Sequence, residues 1–218
     1  MSLFWFSLGG LAWSASEYAL HRFVGHGPRR RKPPTLAGRV SLGGLAYAFN
    51  AEHLAHHADP TYFAPASHKV AAACTAVPLV AAALVPFLGA RRAASFAAGF
   101  SLTYATYEII HRRIHTHAPK GAYGRFVRRH HLFHHHKTPK QNHGVTSPFW
   151  DKFVGSYETV EQLRVPRGAA PGWMVGSDGE VHAEHAADYV LVGPRAPAHP
   201  PTAQARTAET PLECPLEA

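Results

Sequence analysis

Residues 93–115, AASFAAGFSLTYATYEIIHRRIH, run for 18 residues with one charge, Glu108, and then close on the pair His111 and His115. A run of that length approaches the roughly 20 apolar residues that carry a helix across a bilayer. Histidines at i and i+4 share one helix face, so two imidazoles can hold one metal ion or bracket two. The segment therefore predicts a membrane helix with a metal-ligating end. Working outward, residues 3–20 are again 18 long with one charge, Glu17, and His21 follows at once. No basic residue precedes this run and it exceeds a signal-peptide core, so it reads as a retained helix. Residues 70–90 carry no charge over 21 positions. Pro78 and Pro86 fall inside them, which neighbouring helices tolerate in a membrane. Residues 70–90 and 93–110 predict a helical hairpin turning at Arg91–Arg92. Residues 40–51 are apolar but short, as in an interfacial or re-entrant segment. The expected fold class is all-α, an integral membrane helical bundle with a histidine-rich cytosolic cap.

The histidines give that cap its chemistry. The chain has 18 of them against 14 acids, and 15 lie between His21 and His143. Four clusters stand out: His21-Arg-Phe-Val-Gly-His26, His53-Leu-Ala-His56-His57, His111-Arg-Arg-Ile-His115 and His131-Leu-Phe-His134-His135. Spacings of i, i+3 and i+4 put His53, His56 and His57 on one helix face, and likewise His131, His134 and His135. The i,i+5 pair His21 and His26 does not share an α-helical face. Gly25, Gly27 and Pro28 predict that the helix ends just after His21 and that His26 folds back from the break. Each cluster lies at a membrane edge or in a basic segment, so ten imidazoles can converge. That is too many for one tetrahedral ion and suits two metals with five ligands each. Neutral imidazole suits iron, zinc, copper and nickel. His130 is an alternative to His131 as partner of His134. His117, His136 and His143 adjoin clusters without a defined role, whereas His68, His182, His185 and His199 read as ordinary surface or core residues. Glu17, Asn50 and Glu108 fall on the faces of His21, His53 and His111. There they are candidates to accept the second ring N–H of each ligand.

Charge is divided along the chain. Residues 1–157 carry +13 and residues 158–218 carry −5. A basic body could face nucleic acid or an anionic membrane; the apolar runs favour the membrane, and no nucleic-acid partner is expected. Arg29–Lys32, Arg112, Arg113, Arg125, Arg128 and Arg129 flank the histidines, and the positive-inside rule puts that face in the cytoplasm. Cys74 and Cys214 form no CxxC pair and no disulfide framework, so thiolate metal ligation is not expected. Beyond about Val160 the composition turns to Pro, Ala, Gly and acids. Residues 172–192 predict a small hairpin, and residues 196–218 a disordered tail.

The four clusters, together with EYALHRFVGH (17–26) and the closing segment GVTSPFWDKFVGSY (144–157), resemble the fatty acid hydroxylase / sterol desaturase superfamily, nearest its fatty acid 2-hydroxylase branch. The resemblance implies a membrane hydroxylase-like domain over residues 1–157, with 158–195 as a small irregular extension. It implies two iron ions (zinc in a purified sample) on His21, His26, His53, His56, His57, His111, His115, His131, His134 and His135. It further implies O2 activation and hydroxylation or desaturation of an unactivated C–H bond on a lipid or fatty acyl substrate. No fused cytochrome b5 motif occurs in the sequence, so a separate electron donor, ferredoxin- or cytochrome b5-like, is expected. Phe100, Tyr104 and Tyr107 could line an acyl-chain pocket or simply pack. The competing readings are a sterol or carotenoid oxygenase of the same superfamily and a non-enzymatic membrane metal-binding or transport protein. A metal-dependent hydrolase would place a carboxylate base in a motif such as HExxH, and the clusters lack one.

Overall fold

The computed structural model describes residues 1–194, and the expected disordered tail lies outside the described residues. Helices α1 (Leu3–Ala19), α4 (Ala66–Leu88) and α5 (Ala90–Thr116) form the long scaffold, with short α2 (Leu36–Val40) and α3 (Leu42–Ala58) between them. Helices α6 (Gly121–His136) and α7 (Phe149–Val154) follow. Strands β1 (Leu163–Pro166) and β2 (Tyr189–Val192) then pair in parallel, Leu163 opposite Tyr189. The molecule is thus mostly helical rather than all-α.

Helices α1 and α5 touch through their backbones. A Cβ on Gly9 would lie 2.0 Å from the Phe96 carbonyl oxygen, and one on Gly99 would lie 1.9 Å from that of Phe6. Small residues at such a crossing gain interhelical van der Waals contact where no hydrophobic drive separates helix from lipid. Higher in the seam, Trp13 lies against Phe100, Tyr104 and Tyr107, with ring centroids 4.7–5.7 Å away. These three aromatics therefore pack in the α1–α5 interface.

Among the described residues, one helix, α4, is long and apolar enough to cross a membrane by length and composition. The sequence predicts three such spans. Helix α1 is 17 residues long before its geometry changes, and α5 carries Arg91, Arg92, Arg112 and Arg113 within its bounds. The α4–α5 hairpin turns at Gly89 (φ 75°), a left-handed position suited to glycine, and Arg91–Arg92 lie in the first turn of α5. Leu79 and Phe87 of α4, Leu3 and Phe4 of α1, and Leu102 and Ile109 of α5 are all exposed.

The segment after α7 is no loose appendage. Leu163, Val165, Met174 and Tyr189 share one core with Ile114 of α5, Val127, Leu132 and Phe133 of α6, and Val145. Trp173 Nε1 donates to the Ile114 carbonyl (3.0 Å), and Arg129 pairs with Asp188 (3.1 Å). The expected hairpin over residues 172–192 reduces to one antiparallel bridge, Val175–Val181; β2 pairs with β1 instead. Pairing with β1 lets β2 bury Tyr189 in the core.

Candidate metal centre

Helix α1 does not stop at His21. Leu20–Gly25 continues it as a π-helix, and the His26 N–H donates to the His21 carbonyl at 3.1 Å. The i→i+5 repeat of this form is what the i,i+5 spacing needs: the rings of His21 and His26 lie 5.2 Å apart, on one side. The expected helix break is corrected by this continuation. Gly25 is required for its size, since a Cβ there would meet the His53 ring at 2.7 Å. Asn50 takes up the loosened carbonyls, donating to Val24 (3.0 Å) and Gly25 (2.9 Å).

The ten histidines of the four clusters come together in two groups of five. His21, His26, His53, His57 and His134 form one, and His56, His111, His115, His131 and His135 the other. Within each group the candidate ligand atoms all lie within 4.8 Å of one another. The groups adjoin: His57 of the first stacks on His135 of the second, centroids 4.0 Å apart and planes 7° from parallel.

Hydrogen bonds fix which nitrogen faces inward. His21 Nδ1 donates to the His143 carbonyl and His134 Nδ1 to that of Gln141 (2.8 Å). In the second group His56 Nδ1 donates to the Tyr62 carbonyl (2.8 Å). A carbonyl only accepts, so the ring proton sits on Nδ1 and Nε2 is a bare lone pair. The Nε2 atoms of His21 and His134 nevertheless lie 2.9 Å apart, and His26 and His57 bring theirs to 2.8 Å and 3.2 Å from that of His134. Two facing lone pairs repel unless a cation lies between them. The Nε2 atoms of His56 and His111 are buried without a hydrogen-bond partner. Protons are poor substitutes for a metal here. Burial first, then neighbouring imidazoles, holds His131, His134 and His135 well below the usual histidine range. Burial likewise pulls His26 down to about 4 and His57 to about 3. The donor set thus fits two metal ions of the imidazole-binding class.

The carboxylates depart from expectation. Glu17 accepts from the Val145 N–H (2.8 Å) and Thr146 Oγ1 (3.3 Å), tying α1 to the loop before α7 rather than supporting His21. Glu108 is the partner of Lys69, linking α5 to α4. Asn50 serves the π-helical carbonyls, not His53. The Nδ1–H of His21 goes instead to the His143 backbone carbonyl. His130 belongs to neither group; its Nε2 lies 3.3 Å from Asp151 Oδ2, while His131 joins the second group. His117 is exposed, beside Thr116, and His136 adjoins His135. His185, read as an ordinary residue without a metal role, is buried against Trp173.

Sequence reasoning missed the loops that orient the imidazoles. Tyr62 and Gln141 act through carbonyls, which carry no side-chain signal. Asp151, inside the quoted closing segment, is fully buried and organises the 141–144 loop. Burial opposes its charge, but the adjacent His130 and His143 rings, together with hydrogen bonds from the Gly144 N–H and Ser156, outweigh that and hold it well below the carboxylate range.

Two adjoining groups of five inward-facing imidazoles on a helical scaffold define a histidine-rich helical protein with a candidate di-metal centre. The fatty acid hydroxylase family model matches residues 6–156, and the chain belongs to that family. It is 29% identical over 149 residues to fatty acid 2-hydroxylase of Rattus norvegicus, covering 68% of this chain and 38% of that one. It is 28% identical over 165 residues to dihydroceramide fatty acyl 2-hydroxylase of Arabidopsis thaliana, covering 71% and 61%. The solved structure of full-length scs7p (only hydroxylase domain visible) aligns with a TM-score of 0.55 at 27% identity, covering 72% of this chain and 56% of that chain. The chain thus spans between 38% and 61% of the length of these two curated relatives.

Proposed function

We propose that this chain is an integral membrane oxygenase that hydroxylates the acyl chain of a lipid at a pair of iron ions. The observation that carries the reading is the pair of five-imidazole groups joined by the His57–His135 stack. His21, His26, His53, His57 and His134 would hold one ion. His56, His111, His115, His131 and His135 would hold the other. Bound iron supplies O2 activation and insertion of one oxygen atom into a C–H bond. The overall reaction, R–H + O2 + two electrons + two protons → R–OH + H2O, needs an external donor of the ferredoxin or cytochrome b5 class. Zinc in a purified sample would take the same nitrogen ligands.

The protein's own part is positional. Carbonyls of Tyr62, Gln141 and His143 set the ring tautomers, which keeps each Nε2 available to metal. Phe63 lies against His56, His111 and His115 and shields the second group from water. Exposed apolar faces on α1, α4 and α5 support membrane integration. The basic residues flanking the clusters support a cytoplasmic orientation of the histidine-bearing end. A single cysteine introduced at Arg31 in a cysteine-free chain should react with an impermeant maleimide only after cells are opened; labelling of intact cells would reverse that orientation.

The relatives' names, 2-hydroxylases of fatty acids and of dihydroceramide acyl chains, favour attack at the 2-position. The test is mass spectrometry of lipids from cells that express the chain with a compatible electron donor. Acyl chains one oxygen heavier should accumulate, and His56→Ala/His134→Ala should abolish them. An unchanged lipid profile from iron-loaded, reduced protein would count against the proposal.

A further inference from the structure

We propose that Asp151 is a positioning residue for one half of the metal centre, fixing the peptide groups that orient His21 and His134 while leaving the second half alone. This inference rests on the di-metal reading above.

Asp151 is fully buried, and its carboxylate bonds to none of the ten clustered imidazoles. Its Oδ2 accepts the Gly144 N–H at 2.7 Å. That N–H belongs to the same peptide group as the His143 carbonyl, which receives the Nδ1–H of His21. A peptide group is planar and stiff, so holding its N–H aims its carbonyl. Oδ1 accepts the His143 N–H (2.9 Å) and the Ser156 hydroxyl (2.7 Å). Ser156 repeats the arrangement one step away. Its own N–H donates to the Asp151 carbonyl (2.8 Å), and its carbonyl accepts the Asn142 N–H (2.9 Å). The Asn142 N–H shares a peptide group with the Gln141 carbonyl, the acceptor for His134 Nδ1.

The rest of the loop is shaped to this end. Asn142 sits at φ 56°, a left-handed conformation, and its side chain pairs both ways with the Glu158 backbone (2.8 Å and 3.0 Å). A Cβ on Gly144 would strike the Ser147 carbonyl oxygen at 2.2 Å. His21 and His134 both belong to the first group. The second group has its own support, the Tyr62 carbonyl on His56, from the loop between α3 and α4.

Asp151→Asn keeps the shape but turns one acceptor into a donor facing an N–H. The purified full-length chain, loaded with cobalt(II), should bind two ions, read by elemental analysis and by its ligand-field spectrum. Asp151→Asn should weaken one ion about 10- to 100-fold, the usual effect of losing a ligand-orienting partner, and leave the other unchanged. In a His56→Ala chain, which retains the first group, adding Asp151→Asn should weaken the remaining ion by the same factor. In a His134→Ala chain it should leave the remaining ion's affinity unchanged. Ser156→Ala, which deletes one donor and keeps the charge, should weaken the same ion several-fold and decides the matter if Asp151→Asn does not fold. Two ions bound with wild-type affinity in Asp151→Asn, or equal weakening of both ions in Ser156→Ala, overturns the proposal alone. A wild-type chain that binds no cobalt or iron overturns the metal-centre reading and this inference with it.

Discussion

His134 concentrates the chemistry of the first group: its Nδ1 proton is committed to Gln141, and its Nε2 lies within 3.2 Å of three other imidazole nitrogens. His134→Ala should therefore lower metal content from two ions toward one and, on the proposed function, hydroxylation by at least about 100-fold. His68→Ala, at an exposed residue beside Glu52, should change neither. Elemental analysis and product counting check both; full metal in His134→Ala would remove it from the ligand set. The identity of the clustered histidines was legible, because i, i+3 and i+4 spacing is a one-dimensional signature of a shared face. The role of Glu17 was not. A carboxylate one turn before His21 satisfies the same sequence pattern whether it meets the ring or the Val145 N–H 128 residues away.

At the scale of the element, the π-helix Leu20–Gly25 and the α1–α5 crossing decide where the histidines stand. Gly99→Val puts branched carbon where even a Cβ would lie 1.9 Å from the Phe6 carbonyl oxygen, so the helices must separate. The expected loss is about 1–3 kcal/mol or more from overpacking, seen as a lower unfolding temperature in detergent together with weaker metal binding. Gly43→Ala is the control. Its nearest neighbour would be Ser41 Oγ at 3.6 Å, an ordinary contact, so stability should hold or rise by roughly 0.5 kcal/mol through helix propensity. Equal effects from the two substitutions would contradict the close crossing. The helices themselves were readable from apolar run length. The π-turn was not, because its i→i+5 bond depends on Asn50 of α3 capturing the Val24 and Gly25 carbonyls.

At the scale of the whole molecule, the segment after α7 closes the core that backs the histidine-bearing helices α5 and α6. A chain ended at Tyr157 would lose Leu163, Val165, Met174 and Tyr189 and uncover Ile114, Leu132 and Phe133. Each such side chain contributes about 1.5–3 kcal/mol on burial, so the sum is comparable with the ~5–15 kcal/mol stability of a domain. The truncated chain should aggregate or melt far below the full one in a detergent thermal scan, although the family match ends at residue 156. Acid should act on the metal-free protein in a defined direction. Burial depresses His26 and His136 to about 4 and His57 to about 3. As pH falls below the unfolded value of about 6.5, the unfolded chain takes up protons that the folded chain refuses, so stability drops down to about pH 3–4 and is fully present above 7. A melting temperature flat from pH 7 to 5 would refute the burial of neutral imidazoles. The amino-acid sequence by itself determined the helical character, the ten-histidine set and the resemblance to a hydroxylase family, because run length and residue spacing are local properties. Only the tertiary structure divided the ten into two fives, bent the i,i+5 pair into line, handed ring orientation to backbone carbonyls and drew residues 158–192 into the core. Those outcomes depend on which distant groups meet first and hold most firmly, and spacing along the chain does not record that.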